Sequence, residues 1–515
     1  MMSSSDFEFD DLQGLLRFGH AKLTDTCFML LDIADADAAK QWLGTAPFSN
    51  AVQSTPPPDT ALHIAFSAQG LRALGLTESV IENFSDEFIT GMSGDESRSR
   101  RLGDIEKNAP KEWEWGGDAK KIPHVLLLLY AVKGGIGASR KTVESKHFLK
   151  AFKLLNQLPT QNIGKIDLNG FTVEPFGFAD GISQPDIDWY RQQSTNSHDR
   201  DRYSNLLAVG EVLLGYPNEY QQYTVRPLIN PQQDKLADVL ANAEDNPTLK
   251  DFGRNGTYLV LRQLDQDVVG FWQFVYEAAG TDPEKREQLA ASMVGRNRDG
   301  TPLIPRCVEN IPGIAGDDHY NHFTYDADPG GNQCPIGAHI RRVNPRTGDL
   351  PPGVTGFFSR LIKTLGFGQS RPDEDLVASS RFHRLLRRAR TYGSVLTPKD
   401  AIKPDAPTDE RGLQFICLVA NISRQFEFVQ NAWVMNSKFS SVQQERDPLL
   451  GHRKPLMSGD NTDQFNRPDP AGPMQKTCPL PQFITVRGGG YFFMPGLRAI
   501  KYIAALPGNG SDTTS

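Results

Sequence analysis

"FMLLDIADADAAKQW" at residues 28–42 aligns without gaps on "YLVLRQLDQDVVGFW" at residues 258–272. Each stretch opens on apolar residues of the kind that fill strands and passes two aspartates. It then continues as an amphipathic run that ends on a tryptophan, Trp42 or Trp272. Asp35 and Asp37 in the first copy stand opposite Asp265 and Asp267 in the second. An aspartate just ahead of a helix accepts its free N–H groups and suits the positive end of its dipole, so each copy reads as strand, acidic cap, helix. Further strand candidates follow each copy, "HVLLLLYAV" at 124–132 and "GLQFICLVANI" at 412–422, the latter running into a helical pattern, "SRQFEFVQNAW" at 423–433. Strands and helices mixed in this way, twice over, predict an α+β protein of two related units, each a sheet covered by helices. Two unrelated α/β units are the competing reading, because short strand–helix matches also arise by chance.

The bulk numbers agree with two units. A chain of 515 residues exceeds what one hydrophobic core usually organises. With 38% apolar and 23% charged residues it is neither disordered nor fibrous, and a net charge of −7 argues against a non-specific nucleic-acid binder. The longest apolar run, "VLLLLYAV" at 125–132, is too short to span a bilayer and predicts a buried strand. The opening "MMSSSDFEFDDLQGLL" carries no early Lys or Arg and no uninterrupted apolar stretch, so no secretory or twin-arginine signal is expected. Cys27, Cys307, Cys334, Cys417 and Cys478 form no CxxC pair and are odd in number. That speaks against structural zinc or a disulfide framework, and for a reducing cytoplasm. Residues 191–250 are polar and rich in Asn, Gln, Asp and Pro. They read as a connecting region, dividing the chain into 1–190, 191–250 and 251–515. "VRGGGYFFMPG" at 486–496 reads as a tight turn before a buried aromatic strand.

The common catalytic signatures are missing: there is no P-loop, HExxH, GxSxG or Rossmann glycine fingerprint. "EPFGFADGISQP" at 174–185 instead places one acid, Asp180, between Phe178 and Gly181, with Phe176 close by. A buried carboxylate is costly unless a cation or hydrogen-bond donors meet it. Two basic segments offer cations. "CPIGAHIRRVNPR" at 334–346 holds His339 with Arg341, Arg342 and Arg346, and "FHRLLRRARTYG" at 382–393 holds Arg384, Arg387, Arg388 and Arg390. A solvated basic surface is the plain explanation. Ile340, Val343, Leu385 and Leu386 are interleaved, however, so part of each segment is expected to be buried, and buried arginines need anions. Asp180 is one such anion and a dianionic ligand another. Among arginines an imidazole is disfavoured as a cation, so His339 is expected to be neutral and able to ligate a metal, although a satisfied core histidine also fits. A neutral His, several arginines, an apolar wall and one buried acid together suit haem.

These segments resemble the dye-decolourising peroxidases. "GFADG" matches that family's Gly-Phe-x-Asp-Gly motif, "CPIGAHIRRVNPR" resembles its proximal-histidine segment, and "HRLLRRARTYG" resembles its distal-arginine segment. "LGD" at 102–104, "GEVLLGYPNEY" at 210–220 and "MVGRNRDGTPL" at 293–303 extend the likeness through nearly the whole chain. The length and an insert at 357–380 resemble the longer bacterial and fungal branches.

The resemblance implies two ferredoxin-like domains of the dimeric α+β barrel type, with antiparallel sheets covered by helices and haem b held mainly by the second. It implies His339 as the proximal iron ligand, Asp180 as the distal acid–base residue and Arg387, five residues before Tyr392, as the distal arginine. Arg346 is expected to face a propionate, and Gly181, Ile182 and Ser183 to line the haem edge. Leu413 and Phe415 are expected in the distal wall, where core packing explains them equally well. His319, His322 and His383 compete with His339 for the iron. Ala389 stands where some members carry Ser or Asn, which leaves that position without a polar group. The implied activity is reduction of hydrogen peroxide with oxidation of organic donors such as dyes and phenolics. Neither nucleic acid nor membrane is expected as a partner, and a homo-oligomer stays open. A haem carrier or iron-release protein with little turnover, and a non-haem protein with a structural basic cleft, are the other readings.

Overall fold

The computed structural model describes residues 7–160, 171–191, 205–304, 320–346 and 379–508, apart from 322, 326, 441, 470 and 471. In the first half the main strands are β1 (Asp25–Ile33), β2 (Thr60–Phe66), β3 (Val125–Ala131) and β4 (Phe152–Leu158), with helix α1 (Ala36–Leu43) after β1. The second half supplies β5 (Thr257–Gln266), β6 (Leu386–Arg387), β7 (Arg390–Tyr392), β8 (Gly412–Val419) and β9 (Ile484–Met494), with α2 (Val268–Ala279) after β5. The strands lie in the order β4-β1-β3-β2-β9-β5-β8-β6, and β7 also pairs with β8. Each half therefore repeats the order fourth, first, third, second, the βαββαβ ferredoxin-like arrangement, with β6 and β7 sharing the second place in the latter half. The repeats are joined edge to edge where Phe493 of β9 pairs with Phe66 of β2, giving one antiparallel sheet.

Period-two alternation gives this sheet two apolar faces. Phe28, Leu30, Leu126, Leu128, Leu259, Leu261, Ile416 and Leu418 form the core inside its curl. Their neighbours Cys27, Met29, Leu31, Val260, Cys417 and Val419 pack outward, in the core that includes Trp42 of α1 and Trp272 of α2. This is why all seven residues of β3 are buried. Across the sheet's edges, Gln414 Nε2 donates to Pro159 O at 3.1 Å and Arg390 lies 5.1 Å from the Tyr130 ring. Among the described residues no ladder joins β4 to β6 or β7, so the barrel is not closed. No helix among them is long and apolar enough to cross a membrane.

The strand–cap–helix pattern holds in both copies, but the caps are not the aligned pair. Asp35 accepts from Ala38 N at 2.8 Å and Asp267 from Gly270 N at 2.7 Å. β5 continues past the point where β1 ends, so Asp265, the aligned partner of Asp35, lies within the strand and pairs with Arg487 of β9 at 2.8 Å. Two further expectations are corrected. Residues 205–216, read as part of a polar connector, supply Leu207, Val209, Val212, Leu213 and Tyr216 to the core inside the curl; their apolar run is short, and the surrounding composition hid it. The glycines at 488–490 form no turn, because β9 runs straight through them.

Those glycines make room. A Cβ at Gly488 would stand 2.3 Å from Trp115 Nε1, which donates to Gln263 Oε1 at 2.8 Å, and one at Gly489 would stand 2.6 Å from Met92 Sδ. The β5–β9 register slips at Gln263/Leu264, beside this close approach. Gly488→Ala should therefore cost about 1–3 kcal/mol of stability through overpacking against a rigid ring. Denaturant unfolding measures it, and an unchanged midpoint would show that Trp115 moves aside freely.

Candidate functional site

The segment 172–181 folds into a tight hairpin, with Thr172 paired to Asp180 and Val173 to Ala179. Gly177 and Gly181 take positive φ of 97° and 82°, the left-handed region these turns need. Phe176 packs its ring 4.6 Å from Phe271 of α2, and Trp272 donates to Phe176 O at 3.0 Å. Buried phenylalanines thus pin the turn, and Asp180 is left at its end.

The cation that meets Asp180 comes from the other half of the chain. On β6, Leu386 pairs with Leu418 and Arg387 with Cys417. Leu386 joins the core inside the curl, so alternation turns Arg387 to the opposite face, where its Nη1 donates to Asp180 Oδ1 at 3.1 Å. Its backbone N–H donates to Gln184 Oε1 at 3.0 Å. Burial raises the Asp180 pKa, but Arg387, the Gly181 N–H and the charge of His339 outweigh it, and the carboxyl is held below its ordinary value.

Arg387 and Asp180 line a cavity holding about 1680 Å³ of open space, mouth included, between the sheet's outer face and the helical segment after β8. That segment was predicted as a helix over 423–433; it is one, but wound in wide turns, with Glu427 N donating to Ile422 O and Met435 N to Gln430 O. Such turns shift side chains off the regular helical stripe, and Phe426, Val429 and Val434 form part of the cavity wall. Leu413 and Phe415 of β8 contribute to it as well, as do Ile182 and Ser183.

His339 begins the short helix α3 (His339–Val343) and lines the same cavity. Its Nδ1 lies 2.8 Å from Asp447 Oδ2. Asp447 is fully buried, and its other oxygen accepts the N–H groups of Leu449 and Leu450, both at 2.9 Å. The imidazole was expected to be kept neutral by surrounding arginines, and this is corrected. Burial lowers its pKa, yet the Asp447 carboxylate more than offsets that, and the net direction is upward. The arginines are turned elsewhere. Arg341 bonds Asp328 and the Cys334 carbonyl, and Arg342 bonds the carbonyls of Trp433, Asn436 and Glu445. An Nδ1–H donated to a carboxylate leaves Nε2 as the bare, basic nitrogen, the arrangement metal-binding histidines use. Nε2 has no hydrogen bond among the described residues.

Other expected residues are distributed differently. Gly181 does not line the cavity; it serves by giving its N–H to Asp180. Arg346 is buried outside the lining, with Nη1 donating to the carbonyls of Asn321 and Phe323. The arginine that reaches the cavity near it is Arg296, 2% exposed, which donates to Ser183 Oγ, Gly300 O and Tyr320 O, each at 2.8 Å. All three partners are neutral, and burial pushes the Arg296 pKa down to about 10. Arg388 and Arg390 were expected to need anions, but they bond carbonyls of Leu15, Leu16, Gly19 and His20. His383 is stacked 3.6 Å from Phe428 and bonded to Arg424 O, away from the lining. His319, His322, Cys307 and residues 357–378 of the insert at 357–380 lie outside the described residues.

Sequence reasoning missed Asp447 and Arg296. Nothing local marks Asp447, 108 residues beyond His339, whereas Arg296 sits within "MVGRNRDGTPL", a familiar segment in which no single residue stood out.

Several known proteins are similar to this chain. It is 29% identical to the multifunctional dye peroxidase DyP2 of Amycolatopsis sp. over 85% of this chain and 81% of that one. It is 26% identical to the dye-decolorizing peroxidase AauDyP1 of Auricularia auricula-judae, over 97% of this chain and 87% of that one. No family model matches. Among solved structures, AauDyP complexed with imidazole superposes with a TM-score of 0.69 at 22% identity, covering 97% of this chain and all of that one. A dye-decolorizing peroxidase complexed with 2,6-dimethoxyphenol gives a TM-score of 0.68 at 21% identity, with 97% of this chain and all of that one covered. These structures share the fold.

Asp447 should fix which imidazole nitrogen carries the proton. Nitrogen NMR of the purified protein, at a pH where His339 is neutral, is expected to find Nδ1 protonated and Nε2 bare, with the two tautomers mixed in Asp447→Leu. A tautomer unchanged by that substitution would assign its control to another group.

Proposed function

We propose that this chain, a relative of the dye-decolourising peroxidases along most of its length, is a haem b peroxidase that reduces hydrogen peroxide and oxidises phenolic and dye-like donors. The observation that carries this reading is one apolar cavity lined by the Asp180–Arg387 ion pair and by His339, whose Nδ1 is held from behind by Asp447.

The cavity residues fit haem b in three respects. The walls are apolar, His339 offers a bare Nε2, and buried Arg296 has only neutral partners among the described residues, so it suits a propionate. In this reading His339 holds the iron, and Arg296 takes the part expected of Arg346. Bound there, haem would supply the redox chemistry, the two electrons needed to cleave the O–O bond of peroxide. Asp180, with its pKa held low, is ionised at neutral pH and takes a proton from one peroxide oxygen. It returns that proton to the other oxygen as the bond breaks, which is general acid–base catalysis. The Arg387 guanidinium faces the same space and stabilises the negative charge that develops there. Leu413 and Phe415 add apolar surface to the wall of the same cavity. A haem carrier needs the slot and the imidazole but has no use for a paired acid and arginine, so turnover is the favoured reading. Cys27, Cys334 and Cys417 are buried free thiols and Cys478 an exposed one, and this suits a cytoplasmic, reducing setting.

Reconstitution with haem tests the ligand. The wild type should give a Soret band that His339→Ala removes or shifts, and a band indifferent to that change would reject His339. Arg387→Leu should keep haem yet react with peroxide at least about a hundredfold more slowly in stopped flow, the loss expected for one charge-stabilising donor. A wild-type rate in that variant would take Arg387 out of the mechanism.

A further inference from the structure

Asp180 ends a hairpin whose ladder is only two residue pairs long, so the ladder alone does little to fix its carboxyl. The turn between those pairs, residues 174–178, closes on itself: Glu174 N donates to Phe178 O at 2.9 Å, and Gly177 N donates to Glu174 O at 2.8 Å. The Glu174 side chain then folds over its own turn. Oε2 accepts the Phe176 N–H and Oε1 the Phe178 N–H, both at 3.0 Å. Oε2 also accepts Gln266 Nε2 at 2.9 Å. Gln266 is the last residue of β5, and its backbone N–H donates to Arg411 O at 2.7 Å, just ahead of β8. One side-chain carboxyl group thus ties the hairpin to the strand at the centre of the second half. Glu174, Gln266 and Asp180 line the same cavity.

We propose that Glu174 is a positioning residue for Asp180, its carboxyl oxygens clipping the hairpin to β5 through the amides of Phe176, Phe178 and Gln266. The consequence for the reaction rests on the peroxidase reading above; the clip itself does not. A carboxylate suits this place because its two oxygens offer enough lone pairs for three donors at once. Alanine offers none, leaving two backbone N–H groups in an apolar turn without their acceptor. Glutamine keeps one acceptor oxygen and restores part of the clip. Asp180, freed to shift, would no longer meet peroxide and Arg387 in one geometry, and a displacement near 1 Å is enough to slow a reaction severalfold to a hundredfold.

Two measurements test the proposal. Amide hydrogen exchange on the purified protein, before any peroxide is added, should show the Phe176 and Phe178 amides exchanging faster in Glu174→Ala than in wild type, with Glu174→Gln between. Stopped flow on haem-loaded protein should show Glu174→Ala reacting with peroxide at least about tenfold more slowly than wild type, again with partial rescue in Glu174→Gln. A residue that acts through Asp180 has nothing left to act on once Asp180 is disabled, so adding Glu174→Ala to Asp180→Asn should cause no further loss. Gln266→Leu cuts only the anchor to β5, and it should slow the peroxide step in the same direction should Glu174→Ala fail to fold. Additive losses in the double variant would overturn the proposal in favour of a general structural role. So would peroxide rates equal to wild type in both Glu174→Ala and Gln266→Leu. A wild-type protein that ignores peroxide while the exchange pattern holds would strike the peroxidase reading and leave the clip standing.

Discussion

Asp180 and Arg387 come from opposite halves of the chain, and their side chains stand 3.1 Å apart. Each is carried by a two-residue ladder, Asp180 opposite Thr172 and Arg387 opposite Cys417, and neither ladder is rigid alone. Their geometry is borrowed from larger elements. Phe176 and the carbonyl bonded by Trp272 fasten the hairpin to α2, while Leu386, in the core inside the curl, fixes which way its neighbour Arg387 points. Both supports belong to the second repeat, since α2 directly follows β5 and β6 pairs with β8, the neighbour of β5, so the hairpin from the first half is held in register by the second.

The cavity has two polar stations of different character. At one, a carboxylate is held low by a guanidinium and stays ready to accept a proton. At the other, a fully buried carboxylate accepts a hydrogen bond from the Nδ1–H of a neutral imidazole, which leaves the second nitrogen as the free one. Apolar side chains from β8 and from the widened helical turns line the space around these stations. In such surroundings each charge interaction counts for more than it would on the surface. Arginines that the sequence suggested as anion-binding sites are for the most part spent on carbonyls, where they fasten loops instead: Arg388 and Arg390 hold the segment 15–20, and Arg342 holds the helix behind His339.

Much of the frame was legible because its signals are local and periodic. The β1–α1 and β5–α2 matches, the seven-residue apolar run of β3 and the strand at 412–419 all follow from alternation and capping. The exact cap was not legible, since two aspartates lie within reach of each helix and only the strand's length chooses between them. Nor was the path of β9: three glycines usually mean a turn, and Trp115 and Met92, both more than about 370 residues away in sequence, explain their place inside a strand. Asp180, Arg387 and His339 could be named because the motifs around them are compact. Asp447 could not, because its meeting with His339 depends on a long-range fold. Arg346 and Arg296 illustrate the same limit, for sequence marks a buried arginine but not the direction in which it points.

The proposed chemistry rests on Asp180, held in its ionised form by Arg387, as the base that takes peroxide's proton. The most direct measurement is the rate of the haem-loaded protein's first reaction with peroxide, followed between about pH 3 and 8 in wild type and Asp180→Asn. A carboxyl whose folded pKa lies below its ordinary value stays ionised as pH falls, and it loses its charge only under strongly acidic conditions. The wild-type rate should therefore hold level from neutral pH into the mildly acidic range and drop below about pH 4, while Asp180→Asn should be slow throughout. A wild-type midpoint near about 6.5, retained in Asp180→Asn, would assign the base to a histidine and contradict the account.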